Sequence, residues 1–199
     1  MSEINSSARV FRTAPTDFVL ALSLAQNLAV AWDRTTSLAA VARYAPEAEV
    51  ILVAEKALKT AQLTGDMFKQ VAASAWVVRA LVERARVKEA EQIALSLLKQ
   101  AEQIEHPVSK TGALTILWGA TWIMPTPLRQ RVLNSLLAAC LVANSWRSGR
   151  TMRYVALVVA NEDRPQAQRI IDSMRDNRYK RGAQQKLDAG QTEKLGKFF

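Results

Sequence analysis

Four stretches of this chain open alike, and their spacing constrains the fold more than any other feature. Arg34-Thr35-Thr36-Ser37-Leu38, Lys69-Gln70-Val71-Ala72-Ala73, Lys110-Thr111-Gly112-Ala113-Leu114 and Arg150-Thr151-Met152-Arg153-Tyr154 follow one another at intervals of 35, 41 and 40 residues. Each begins with a cation and carries apolar residues four and seven or eight positions on, which an α-helix turns to one face. Second stretches lie between them: Val53, Ala54, Ala57 and Ala61 compare with Ala90, Ala94 and Ala101, small residues in i, i+4 rows that let helices approach closely. Periods of this size mark helical hairpins that bury their faces on one another as a solenoid. An irregular helical bundle is the alternative that the same helices allow.

Alanine, leucine and valine at helical spacing dominate the chain, and runs of alternating β-branched residues are all but absent, so the expected class is all-α. Breaks are expected at Pro46, Gly65-Asp66, His106-Pro107, Pro125 to Pro127, Ser148-Gly149 and Arg164-Pro165. They delimit nine helices at roughly 17–32, 35–45, 46–62, 67–85, 88–104, 108–123, 126–144, 150–161 and 165–177. The implied organisation is a flexible N-terminus over 1–16, a helical-repeat domain over 17–177, and a basic flexible tail over 178–199. A chain of 199 residues can bury such a core without staples.

Asp33-Arg34, Asp66 to Lys69 and Glu105 to Lys110, followed by Ala39, Ala72 and Ala113-Leu114, resemble the tetratricopeptide-like (TPR-like) repeat family in its divergent form. The likeness spans residues 33–177, with intervals that vary and without regular Gly and Tyr positions in the first helices. It implies stacked antiparallel hairpins and an interaction scaffold with a concave groove.

Charge is distributed one-sidedly. Between Glu105 and Glu162 there is no acid, while Lys110, Arg129, Arg131, Arg147, Arg150 and Arg153 fall inside that interval, and the whole chain has a net charge of +9. Such a field favours an anionic partner. The repeat-leading cations Arg34, Lys69 and Lys110 have acids just upstream to pair with. Arg150 has none, and Arg147 and Arg153 stand three residues to either side of it. Like charges at that spacing repel by a few tenths of a kcal/mol unless an anion relieves them. Trp146 and Tyr154 interleave with these arginines, a composition suited to protein hot spots and to stacked bases. Trp146, Arg147, Arg150, Arg153 and Tyr154, with Lys110, Arg129 and Arg131, are therefore the candidate partner-binding residues, whereas Trp76, Trp118 and Trp122 have the spacing of core residues.

The segment from Asp176 is polar and basic, yet it carries Leu195, Phe198 and Phe199. An aliphatic residue followed three positions later by two aromatics is similar to sliding-clamp-binding peptides, although Gln191 stands one residue early for that family's glutamine. The other expectation is that these three residues dock on the protein's own groove or on a neighbour.

Nothing in the chain points to catalysis. Its single histidine, His106, is expected to help end a helix, and its single cysteine, Cys140, lies in an apolar run and reads as a small buried residue. No disulfide can form within the chain, and a reducing, cytoplasmic setting is expected. Neither a glycine-rich phosphate loop nor a nucleophile elbow is present, and no enzyme activity, cofactor or metal is expected. The apolar stretch Phe18 to Trp32 is interrupted by Gln26 and Asn27, so it is read as a soluble helix capped by Thr16 or Asp17, neither leader nor membrane span. The function these features favour is a non-enzymatic adaptor that holds an acidic protein segment in its groove and basic half. A nucleic-acid-binding accessory protein, clamp-associated through its tail, is the alternative, and a peripheral factor on an anionic membrane or a complex-assembly factor the third.

Overall fold

Helix starts in this chain are written by side chains that cap them. The computed structural model describes residues 6–124 and 126–199, apart from the side chain of residue 126; the expected break at Pro125 and the first five residues of the expected flexible N-terminus lie outside the described residues. Among the described residues there are eleven α-helices and no strand: α1 (Ser7–Thr13), α2 (Phe18–Gln26), α3 (Ala31–Tyr44), α4 (Val50–Ala61), α5 (Met67–Glu83), α6 (Val87–Glu102), α7 (Pro107–Thr121), α8 (Thr126–Ala143), α9 (Trp146–Val159), α10 (Arg164–Ser173) and α11 (Arg178–Asp188). Asp17, Asp66 and Asp163 accept hydrogen bonds from the backbone N–H groups of Leu20, Lys69 and Gln166 at 3.0, 2.8 and 2.7 Å, satisfying donors that a helix cannot pair internally. His106 begins a helix and does not end one: its Nδ1 accepts from the Ser109 N–H at 3.3 Å, with Pro107 in the first turn of α7.

The odd-numbered helices lie side by side. α1 meets α3, α3 meets α5, α5 meets α7, α7 meets α9 and α9 meets α11, while α4, α6, α8 and α10 each pack against the odd helix that precedes them. The four cation-led stretches are thus α3, α5, α7 and α9, neighbours in one row. Their contacts run through small side chains, since Ala39, Ala42, Ala72, Ala75, Ala113, Ala120 and Ala156 are all completely buried. Trp118 is also completely buried among them, and its ring meets that of Trp122 edge-on at 5.1 Å. No described helix is long and apolar enough to cross a membrane.

Three expectations are corrected here. Residues 7–13, read as flexible, form α1, because Ser6 caps it and Val10 is fully buried. Residues 178–188, read as flexible tail, form α11, capped by Asn177 and anchored by buried Ala183 and Leu187. The break at Ser148-Gly149 is absent: α9 begins at Trp146, where Ser145 and Ser148 form a reciprocal capping box. Gly149 sits inside that helix because the Tyr179 ring of α11 covers it, and a Cβ there would lie 2.9 Å from Tyr179 Cδ2.

Successive hairpins are clamped through Arg84, at the C-terminal cap of α5. Its guanidinium donates to the carbonyls of Arg43 and Ala45 at 3.2 and 2.9 Å, closing the end of α3, and to Glu47 at 2.8 Å. The hydrogen bond from Arg84 and the charge of Arg86 hold the Glu47 carboxyl below its ordinary value of 4.5. A carboxylate whose folded value is lowered contributes stability above its unfolded pKa and loses it as pH falls through the folded one. Arg84→Ala is expected to lower Tm by roughly 2–10 °C, equivalent to about 1–3 kcal/mol for unsatisfied carbonyls. Calorimetry over a series of pH values downward from 7 checks this: the deficit of the variant should shrink as the pH falls through the lowered value of Glu47, where the wild type too loses that charged contact.

Candidate functional site

Helical periodicity from Trp146 onward brings Arg147, Arg150, Arg153 and Tyr154 to one side of α9. With Trp146, Thr151 and Glu193 they line a cavity of about 440 Å³. Asn144 reaches a left-handed φ of 39° just before the helix, and the Ser145 cap then fixes its first turn, so Arg147 projects from the positive end of the helix dipole, with Arg150 one turn on. Arg147 lies over the Trp146 ring, 4.9 Å from its centroid, and Trp146 is 55% exposed. Neither Arg147 nor Arg150 makes an ion pair or hydrogen bond among the described residues. Arg153 does: Glu193 accepts from its guanidinium at 3.4 Å and from Lys186 Nζ at 3.2 Å.

That carboxylate belongs to a segment that leaves α11 and crosses the odd row helix by helix. At α9 the Glu193 N–H donates to the Leu157 carbonyl at 3.2 Å, and Asn161 Nδ2 donates to the Glu193 carbonyl at 2.8 Å. Three residues on, the Gly196 N–H donates to the Tyr154 hydroxyl at 2.8 Å. Leu195 and Phe198 then lie over Gly119 of α7, where a Cβ would stand 3.8 Å from Leu195 Cδ1 and 3.3 Å from Phe198 Cε2. At α5 the Trp76 ring meets Phe198 and Phe199 edge-on, at 5.1 and 5.4 Å, and stacks against Phe11 of α1 at 6.1 Å. The Arg79 guanidinium approaches the Phe198 ring at 5.9 Å and Arg43 of α3 the Phe199 ring at 5.1 Å. Glu83 fixes both arginines from below, forming ion pairs with Arg43 and, at 2.6 Å, with Arg79. A second cavity, of about 250 Å³ and mostly apolar, opens beside the segment between Trp32, Trp76, Trp118, Leu195 and Phe198.

The row of odd helices therefore presents one continuous surface with two characters, cationic at α9 and aromatic from α7 to α3. Five of the eight basic and aromatic candidates meet in the first part: Trp146, Arg147, Arg150, Arg153 and Tyr154. Lys110 is apart from them, lining another cavity with Glu102 and Glu105, and its ammonium donates to the Glu102 carbonyl at 2.7 Å. Arg129 is committed elsewhere. It pairs with Glu162 at 2.8 Å, donates to the Trp122 carbonyl and lies 4.6 Å from the Trp122 ring centroid. Arg131 is exposed on α8 and lines neither of the two cavities on the odd row. Of the upstream acids expected to pair with the leading cations, Asp66 does bridge Lys69, at 3.1 Å, whereas Arg34 donates to the Ala29 carbonyl.

Trp32, Arg43, Arg79 and Glu193 contribute without a signal in the sequence, and Trp76, expected in the core, is half-buried and meets Phe198 and Phe199. Gly119 has one. Gly112 and Gly119 stand seven residues apart in α7, on one face, and an aromatic ring lies over each, Phe68 over the first and Phe198 over the second. Paired glycines inside a helix weaken it unless something must approach its backbone closely.

Burial raises the Cys140 thiol to about 12, which leaves it protonated at neutral pH. No group of three or more His, Cys, Asp or Glu placed to hold a metal occurs among the described residues. The chain matches no protein-family model, no curated protein and no solved structure.

A bulky side chain at residue 119 would occupy the seat of Phe198. Gly119→Leu is expected to raise the rate of trypsin cleavage after Lys194 and Lys197 roughly tenfold, the size of a 1.4 kcal/mol change in an opening equilibrium. Limited proteolysis followed by mass spectrometry reads it, and an unchanged rate would mean that the segment does not depend on that contact.

Proposed function

We propose that this chain is a non-enzymatic adaptor of TPR-like helical-repeat architecture, which holds an acidic protein segment against the cationic end of its odd-helix row. One observation carries the reading. Glu193 already places a carboxylate against Arg153, while Arg147 and Arg150 in the same cavity have no anionic partner among the described residues. Two unpaired guanidiniums three residues apart at a helix N-terminus offer charge-assisted hydrogen bonds to a carboxylate-rich ligand. The side-by-side contacts of α3, α5, α7 and α9, with the even helices behind, support the repeat architecture and give such a ligand a surface to lie on.

Exposed Trp146 under Arg147 also suits a nucleic-acid base beside a phosphate, so the test separates the two. Fluorescent oligoglutamate and a single-stranded oligonucleotide are titrated with the wild type and with the Arg147→Glu, Arg150→Glu variant. The adaptor reading expects oligoglutamate affinity to fall about ten- to a hundredfold, as for loss of charged hydrogen bonds worth about 1.5–3 kcal/mol, with an unchanged helical circular dichroism spectrum. Preference for the oligonucleotide, with affinity falling steeply as salt rises, would replace it with the nucleic-acid reading.

A further inference from the structure

Segment 191–199 fills its groove incompletely at both ends, and this carries an inference about what else fits there. At α9 the segment brings one carboxylate to a cavity with three arginines, and two of them have no ion pair among the described residues. Over α7 and α5 it seats Leu195 and Phe198, yet about 250 Å³ of mostly apolar space remains beside them. Between these ends its hold is specific, since a backbone N–H reaches Tyr154, Glu193 is hydrogen-bonded through both its backbone N–H and its carbonyl, and Gly119 lacks the side chain that would push Phe198 away. Along the segment Glu193 and Leu195 are half-buried against the helices while Thr192 and Lys194 are exposed, and Gly196 lies against the Tyr154 hydroxyl.

From this geometry we infer that the groove takes an extended protein segment of defined pattern, and that residues 191–199 hold its place until it arrives. The pattern is an acid, an aliphatic residue two positions on, and an aromatic pair five and six positions on. A better ligand adds further acids beside the first, to engage Arg147 and Arg150, and a bulkier apolar group over Gly119. The inference rests on the adaptor reading for its acidic end, while its aromatic end stands on the contacts with Trp76, Arg79 and Arg43. A short tether gives the resident segment an effective concentration on the order of millimolar. An external peptide of equal quality therefore competes poorly until the resident is loosened.

The test uses the whole chain and a fluorescein-labelled peptide of residues 189–199. Chains carrying Phe198→Ser with Phe199→Ser are expected to bind the peptide at least tenfold more tightly than the wild type. A Glu193→Lys chain, which keeps both aromatics, is expected to rank the same way and guards against a folding defect in the first variant. Peptides carrying Leu195→Asp or Phe198→Ser should lose at least tenfold. Equal affinity of loosened and wild-type chains, or no binding by loosened chains of normal helicity, overturns the inference. A wild-type dimer that becomes monomeric on Phe198→Ser with Phe199→Ser would also overturn it, because a second copy would then be the occupant. Reversing Arg147 and Arg150 in the loosened chain separates the two readings. If the peptide binds and oligoglutamate ignores the reversal, the groove stands and the acidic-partner reading falls. If oligoglutamate depends on both arginines and the peptide does not bind, only the groove inference falls.

Discussion

Close approach of the odd-numbered helices is the constraint from which the remaining features follow. Completely buried alanines at Ala39, Ala42, Ala72, Ala75, Ala113 and Ala120 leave little between the backbones of α3, α5 and α7. Helices that pack through such residues cannot separate without opening voids, and a buried void costs both transfer energy and lost dispersion contacts. The large side chains are consequently displaced to the faces of the row. Trp118 is enclosed, whereas Trp76 is left half-buried, between Phe11 on one side and Phe198 and Phe199 on the other. A row of closely packed helices with aromatics standing on one face is a surface on which the segment 191–199 lies.

Electrostatics then divide that surface. At the α3–α5 end Glu83 pairs with both Arg43 and Arg79 and offsets half of their charge, so their guanidiniums meet the aromatic rings of the resident segment as paired groups. No acid on α9 does the same for Arg147 and Arg150. The positive end of the helix dipole adds to their charge, and Glu193, which reaches Arg153, has to come from a segment that is not part of the row. Unpaired positive charge is thus concentrated at one end of the row and apolar contact at the other, and a ligand of the proposed kind would lie in one direction only.

The helical class and the row were legible because local sequence writes them. Asp17, Asp66 and Asp163 cap helices where their positions suggest, and the cation-led stretches fall on α3, α5, α7 and α9. The cluster Trp146, Arg147, Arg150, Arg153 and Tyr154 was legible for the same reason, since one helix brings it together. Long-range pairing was not. The arginines of the acid-free interval looked equally uncompensated, yet Glu162 reaches Arg129 and Glu193 reaches Arg153 from 33 and 40 residues away. Composition misled over 178–188: a polar, basic stretch looks flexible, but Ala183 and Leu187 recur at i, i+4 and are enough to anchor a helix on α9. Gly149 was misread as a break because its partner, Tyr179, is thirty residues distant in the chain and close only after folding.

The central claim is that residues 191–199 lie across the odd row as a displaceable ligand. Nuclear Overhauser contacts between the rings of Phe198 and Phe199 and the indole of Trp76 measure it most directly in solution. The account predicts these contacts in the free chain, together with a protected Gly196 amide, and their loss when a peptide combining an acid cluster with an aromatic pair is added. Random-coil shifts for Phe198 and Phe199 in the free chain, or contacts that persist unchanged in the presence of saturating peptide, would contradict it.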